Sequence, residues 1–324
     1  MDPDRSSTTV SSASTVATAS VAAPATTVPA HLIEEIEAGR CVAFVGAGFS
    51  AAALLPTWTR LLADLGDHEA VPPDVRDRVR EVVVGPPPSA HQLDQAAQLL
   101  EDSMGRALFV SRLAILLKGD PSSPQMQRRL RWLRGVPFRA VVTTNFDPVL
   151  DGALPGPRVY RNLLRPDRYR WWEEAFWGDE RGAPVVKLHG DLSHPDAANN
   201  VVLTRRDYRR RLYGDPAYTT FLRGLLSTNT ILFMGFSFED AYLNELRSQV
   251  LALFDQASTP EDPPLAYAIL HDVPNLVRLH FSRHEGIEVL PFNSEEPKDF
   301  AGFDQWLEAI WSATAILPRF GPLL

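Results

Sequence analysis

Three polar segments in this chain each stand directly after a run of apolar residues. They are Gly46-Ala47-Gly48-Phe49-Ser50, Thr143-Thr144-Asn145-Phe146-Asp147 and Lys187-Leu188-His189-Gly190-Asp191, behind the runs 41–45, 140–142 and 185–188. Short runs that are apolar on both faces read as strands of a parallel sheet covered by helices on either side. In such a sheet the carboxyl ends of the strands share one edge, and that edge is where open α/β folds take their ligands. The pattern therefore predicts bare glycine backbone, an amide, a carboxylate and an imidazole along one edge.

The rest of the pattern predicts an α/β fold with a doubly wound, mainly parallel, Rossmann-like sheet. Strands are expected at 139–144, 157–160, 184–188, 200–204, 230–234, 265–271 and 287–291. Leu32, Ile33 and Ile36 share a helical face that Gly39 can end. A helix beginning near Ser50 is expected to carry Trp58, Leu61, Leu62 and Leu65. Further helices are expected at 74–84 and 90–118, separated by Gly85-Pro86-Pro87-Pro88, and at 125–134. Later helices fall near 168–177, 206–213, 216–227, 240–257 and 303–316. No strand pattern occurs between Val45 and Ala140, so a helical insertion at about 60–135 is expected within one domain covering 31–324.

Residues 1–30 are rich in Ser, Thr, Ala and Val and lack a basic start before a compact apolar core; they read as a disordered tail rather than a signal peptide. No run reaches the roughly 20 apolar residues of a membrane span. Cys41 is the only cysteine, which rules out an internal disulfide and a four-cysteine zinc site and points to a reducing, cytoplasmic setting. A net charge of -8 disfavours nonspecific nucleic-acid binding, and the basic stretches 205–211 and 127–134 read as solvated faces.

Gly46-x-Gly48-x-x-Ala51 fits a dinucleotide loop with alanine as its third small residue. A tight strand-to-helix turn explains the same glycines equally well. An acidic residue ending a second strand about 20 residues on would mark a dehydrogenase. Asp64 and Asp67 lie at that distance, but in a helical pattern, so hydride transfer fits poorly. Asn145 can fix a ribose hydroxyl or a water, and Asp147 a carboxamide or a growing positive charge. Each alone also reads as a cap after a strand, and a lone His189 as structural.

Taken in order, Gly-Ala-Gly-x-Ser, Thr-x-Asn-x-Asp and Leu-His-Gly resemble the sirtuin superfamily, and more specifically the sirtuin-like domains of bacterial antiphage-defence proteins. Leu203-Thr204-Arg205-Arg206-Asp207-Tyr208 and 232–240 extend the resemblance, which covers about 31–315. It implies NAD+ as substrate, with the pyrophosphate at Gly46, Ala47, Gly48, Phe49 and Ser50, and with Thr144, Gly235 and Ser237 also among the binding residues. Asn145 would orient the nicotinamide ribose and a water, Asp147 would face the carboxamide, and His189 would be the general base. The implied reaction is cleavage of the nicotinamide–ribose bond.

Two departures bear on the acceptor. The interval that holds a four-cysteine zinc module in deacetylating sirtuins has no cysteine here, and Pro56-Thr57-Trp58-Thr59 stands where they carry Pro-Asp-Phe-Arg. Water is then the expected acceptor and no zinc is expected, giving an NAD+ hydrolase that depletes NAD in antiphage defence. The alternatives are a noncatalytic NAD or ADP-ribose sensor, an NAD-dependent deacylase or ADP-ribosyltransferase, and a serine hydrolase using Ser237 with Asp272, His280 or His284. The resemblance further implies a homo-oligomer, or gating by a separately encoded ATPase or Argonaute-like partner, with no direct nucleic-acid or membrane contact.

Overall fold

The computed structural model describes residues 26–150, 160–162, 185–192, 197–238, 241–254, 262–293 and 300–314. Among these, seven strands form one sheet in the order β3-β4-β2-β1-β5-β6-β7, and every neighbouring pair is parallel. The strands are β1 (Cys41–Val45), β2 (Ala140–Thr143), β3 (Tyr160–Asn162), β4 (Val185–Lys187), β5 (Thr230–Met234), β6 (Ala266–His271) and β7 (Ile287–Phe292). From β1 the chain runs through β2 to the edge strand β3 and back to β4 on one side, then crosses to β5 and builds outward to β7 on the other. The carboxyl ends of β1, β2 and β5 therefore meet at the topological switch point, where such sheets open a crevice.

Alternation along the strands sorts their side chains onto two covered faces. Cys41, Ala43, Val45, Val141, Leu232 and Met234 pack with α1 (Ala30–Glu37), α7 (Pro124–Gly135) and α13 (Ala301–Thr314). Val42, Phe44, Val142, Ile231 and Phe233 pack under α10 (Pro216–Thr228) and α11 (Ala241–Phe254). Burying both faces is what makes these strands read as unbroken apolar runs.

Between β1 and β2 the chain is helical, as expected: α2 (Ala47–Ser50), a 3-10 turn at Ala51–Ala53, α3 (Trp58–Gly66), α4 (Pro73–Val84), α5 (Ala90–Met104), α6 (Arg106–Leu116) and α7. Helices α3 to α6 have their own core of Leu61, Leu62, Leu65, Leu100, Phe109 and Leu113, with Trp58 packed on its edge. Beyond β4 lie α8 (Ala197–Asn200), α9 (Arg205–Gly214), α10 and α11, then α12 (Asn275–His284) between β6 and β7.

Several expectations need correction. The helix expected near Ser50 is a single turn that closes in the 3-10 segment; Leu54 there has a left-handed φ of 58°, and α3 starts anew on its Thr57 cap. The helix expected over 90–118 breaks at Gly105, whose φ of 78° no helix accommodates. Residues 201–204 are not a strand. The Val202 N–H donates to the His189 carbonyl at 2.9 Å, and both the Leu203 and Thr204 N–H groups donate to the Asp207 carboxylate. Helix α12 was not anticipated: none of its residues is fully buried, and it meets the core chiefly through the half-buried Phe281 against Phe238. Of the strand expected at 157–160, Tyr160 opens the short strand Tyr160–Asn162, while 157–159, the expected helix near 168–177 and residues 1–25 of the tail expected at 1–30 lie outside the described residues; Ala30, the last of that tail, already begins α1.

Candidate active site

Four loops emerge at the switch point, and the first is pinned by the loop after β5. The Gly46 N–H donates to the Met234 carbonyl and the Gly48 N–H to the Gly235 carbonyl, both at 2.9 Å. A Cβ on Gly46 would lie 2.4 Å from the Gly235 oxygen, and one on Gly235 would lie 2.2 Å from the Phe49 nitrogen. Gly235 also has φ +65°. The glycines are thus required first for two loops to interlock, and the N–H groups of Gly46 and Gly48 are spent in that contact. Ala47 is exposed at the crest of the turn, while the Phe49 side chain is fully buried against Phe303. Phe49 can meet a ligand only through its backbone.

Ser50 closes the turn and joins the first loop to the second. Its hydroxyl accepts from the Asn145 amide at 3.1 Å and donates to Asp147 Oδ1 at 3.3 Å. The Thr143 hydroxyl donates to the Val45 carbonyl at 2.7 Å and accepts from the Asn145 N–H at 3.0 Å, which sets where Asn145 leaves β2. Asp147 Oδ1 also accepts from the Val149 N–H, a bond within a turn and not the expected helix cap, since no helix begins there among the described residues. Ser50, Asn145 and Asp147 are all buried, and Thr144 is half-buried between them in sequence.

Burial holds the Asp147 carboxyl above the ordinary aspartate range. Its hydrogen bonds and the positive charge of Lys187 offset this only in part. Lys187 is itself fully buried, with Nζ 3.5 Å from Asp191 Oδ1. The end of β4 therefore carries a buried ion pair beside a buried carboxyl, an arrangement that favours function over stability.

His189 follows on the turn after β4 and is 3% exposed. Its ring lies 5.8 Å from that of Phe146 and meets Tyr208 edge-on at 5.1 Å, with the Tyr208 hydroxyl 3.2 Å from Nε2. Gly190, at φ +89°, turns the chain immediately after it. The structure thus gathers Ser50, Asn145 and Asp147 into one hydrogen-bonded group and seats His189 on the neighbouring strand end. Gly235 belongs to the same edge through its loop contact, and Ser237 is exposed on that loop.

Residues that sequence reasoning passed over hold this edge in place. Arg106 bonds the carbonyls of Ala198 and Val201 and the carboxylates of Glu101 and Asp207, tying the insertion to the segment that carries Tyr208. Arg129 corrects the reading of 127–134 as a solvated face: it is fully buried, donates to the Gly48 and Phe49 carbonyls, and pairs with Asp304 at 2.6 Å. The signal was present in the spacing, because Met126, Arg129, Leu130 and Leu133 share one helical face. In the stretch 205–211 the solvated reading holds for Arg205, Arg209 and Arg210, while Arg206 pairs with Glu101 and Asp102.

His280 and His284 are exposed on α12, and His280 lies 3.4 Å from Glu285. Among the described residues no group of three or more His, Cys, Asp or Glu side chains is arranged to hold a metal ion, and no helix is long and apolar enough to cross a membrane.

Comparison with known proteins agrees with this edge. The family model described as a SIR2-like domain matches residues 139–290. The chain is 28% identical over 220 residues to an NAD(+) hydrolase ThsA of Enterococcus faecium, covering 67% of this chain and 41% of that protein. It is 27% identical over 226 residues to an NAD(+) hydrolase ThsA of Acinetobacter baumannii, covering 70% and 42%. To defense-associated sirtuin 2 of Bacillus subtilis it is 25% identical over 228 residues, covering 69% and 20%. The chain thus spans less than half the length of these relatives. The matched range takes in β2, β4, β5 and β6 and the loops of Asn145, His189 and Gly235, so over residues 139–290, a little under half of its length, this chain is similar to a SIR2-like domain.

Proposed function

We propose that this protein cleaves the nicotinamide–ribose bond of NAD+ with water as acceptor, releasing nicotinamide and ADP-ribose. The observation that carries this reading is the buried group of Asn145, Ser50 and Asp147 at the switch point, with His189 on the adjacent strand end. The relatives, an NAD(+) hydrolase and a defense-associated sirtuin by name, support the same reading.

The bond to be broken has a cationic leaving group, so departure of nicotinamide transfers positive charge to the ribose. Catalysis is then largely a matter of positioning and electrostatics. Asn145, held by Ser50 and by its own backbone bond to Thr143, orients the ribose and the water. Asp147 lies nearest the developing cation and the carboxamide. Ionised, its carboxyl can stabilise the oxocarbenium-like sugar, and burial, which favours the protonated form over its level in water, brings within reach a form that can donate to the carboxamide oxygen. His189 takes the proton from the attacking water, with Tyr208 and Phe146 fixing its ring. The backbone from Gly46 to Ser50, with Thr144, Gly235 and Ser237, holds the phosphates and riboses.

In a cell this reaction drains NAD, which fits an effector of antiphage defence acting in the cytoplasm. Such an activity needs a gate, and self-association or a separately encoded partner would supply it.

Product analysis tests the reaction. Purified protein incubated with NAD+ should release nicotinamide and ADP-ribose in equal amounts, whether or not an acetylated peptide is present. Release that requires the peptide, with transfer of its acyl group, would overturn hydrolysis in favour of deacylation.

A further inference from the structure

Arg129 bonds the backbone of the loop that carries Ser50, the residue joined by hydrogen bonds to Asn145 and Asp147. Its Nη1 donates to the Phe49 carbonyl at 2.7 Å and to the Gly48 carbonyl at 3.1 Å. Its Nε donates to Asp304 Oδ1 at 2.6 Å, and Asp304 Oδ2 accepts from the Gln125 amide at 2.8 Å. The guanidinium lies over the rings of Phe303 and Phe300, at 4.8 and 5.4 Å from their centroids. The side chain is fully buried, and Nη2 is buried without a hydrogen-bond partner. Burying a charge this completely to bond two loop carbonyls is an expensive way to close a turn.

The geometry shows what the expense secures. Every peptide bond described is trans, so within each peptide unit the N–H points opposite to the C=O. Holding the Phe49 carbonyl on Arg129 therefore turns the Ser50 N–H away from the α7–α13 core. The Ser50 hydroxyl on the same residue bonds Asn145 and Asp147. From the other side, the loop's Gly46 and Gly48 N–H groups are held by the Met234 and Gly235 carbonyls. The loop is gripped by its carbonyls on one side and by its N–H groups on the other.

We infer that Arg129, held by Asp304 of the last described helix, is a positioning residue that sets the substrate-binding shape of the loop 46–50 and, through Ser50, the attitude of Asn145 and Asp147. The inference rests on the proposed NAD+ cleavage for its kinetic consequence, but not for its structural one. It also makes α13 part of the substrate site without contact to substrate, because the only carboxylate paired with Arg129 among the described residues comes from that helix.

The test uses the full chain with Arg129→Lys and Asp304→Asn. Lysine keeps the charge but offers no fork to bond two carbonyls and a carboxylate together. Asp304→Asn keeps the shape and removes the counter-charge, and serves if Arg129→Lys does not fold. Two readouts are taken: the KM and kcat of nicotinamide release, and amide hydrogen exchange at residues 46–50 relative to β6. The expected result is a KM for NAD+ raised tenfold or more, a kcat lowered as Asn145 and Asp147 lose their setting, and exchange at Phe49 and Ser50 accelerated at least tenfold with β6 unchanged. An unaltered KM, or exchange that speeds equally in the loop and in β6, would show a merely structural arginine and overturn the inference. If the unaltered protein releases no nicotinamide, the functional reading fails separately, and the exchange comparison still decides the role of Arg129.

Discussion

The Ser50 hydroxyl accepts a hydrogen bond from Asn145 at 3.1 Å and donates one to Asp147 at 3.3 Å, so one buried hydroxyl fixes both of these side chains in the loop after β2. Neither the glycine loop nor the Asn-x-Asp segment is complete without the other. Ser50→Ala leaves a buried amide with a lost acceptor and a buried carboxyl with a lost donor, at a cost of about 1–3 kcal/mol. Thermal unfolding should register that loss. Nicotinamide release should fall by more than the fraction unfolded explains; a rate matching the folded fraction would detach Ser50 from the chemistry.

Glycine substitutions separate backbone strain from loop contact. Gly39 and Gly235 both have φ near +65°, but a Cβ on Gly39 meets nothing within 4 Å, whereas one on Gly235 would sit 2.2 Å from the Phe49 nitrogen. Gly39→Ala should cost about 1–2 kcal/mol, the ordinary penalty for a left-handed L-residue. Gly235→Ala should cost at least about 3 kcal/mol, because two backbones must part as well. Denaturant unfolding of the two variants side by side gives the comparison, and equal losses would contradict the interlocked loops.

Asp147 makes the stability depend on pH in an unusual direction. Its folded-state carboxyl titrates above the ordinary value because burial disfavours the charge. The folded state therefore holds its proton more tightly than the unfolded chain. This contribution to stability is fully present below the unfolded aspartate pKa of about 3.9 and is lost as pH rises through the folded value. Asp147→Asn can still accept from Ser50 and Val149 and has no charge to bury. The variant should gain stability relative to the parent as pH rises from 4 towards 8, in a series of melting temperatures. A constant offset between the two would contradict the burial effect.

Arg106 stands between the helical insertion and the His189 side of the site. Replacing it with Met takes one of two paired arginines from Glu101 and the paired arginine from Asp207, both buried, and frees the Ala198 and Val201 carbonyls. Breaking a buried ion-pair network in this way costs about 3–5 kcal/mol. Arg106→Met should therefore lower the melting temperature strongly. A variant as stable as the parent would show that the network closes without it.

What the sequence revealed, and what it hid, follows from how each feature is encoded. Strands β1, β2 and β5 are apolar on both faces and bounded by Gly, Asn or polar turns, so pattern alone locates them. The run 201–204 has the same composition. It is not a strand because its N–H groups are claimed by His189 and Asp207, partners fixed only by tertiary structure. The split at Gly105 was visible as a glycine inside a helical pattern, but its positive φ was not. Asn145, Asp147 and His189 announced themselves by standing just after strands. Arg129 did not, because a charge within a basic stretch reads as solvated until its place on the apolar face of α7 is weighed.

The central claim is that His189 serves as the base beside the Asn145 group. The most direct measurement is the rate of nicotinamide release at saturating NAD+ for the parent and for His189→Ala, with folding of both verified. The account predicts a fall of about 10²–10⁴-fold, the usual worth of a positioned general base. Turnover within threefold of the parent would contradict it.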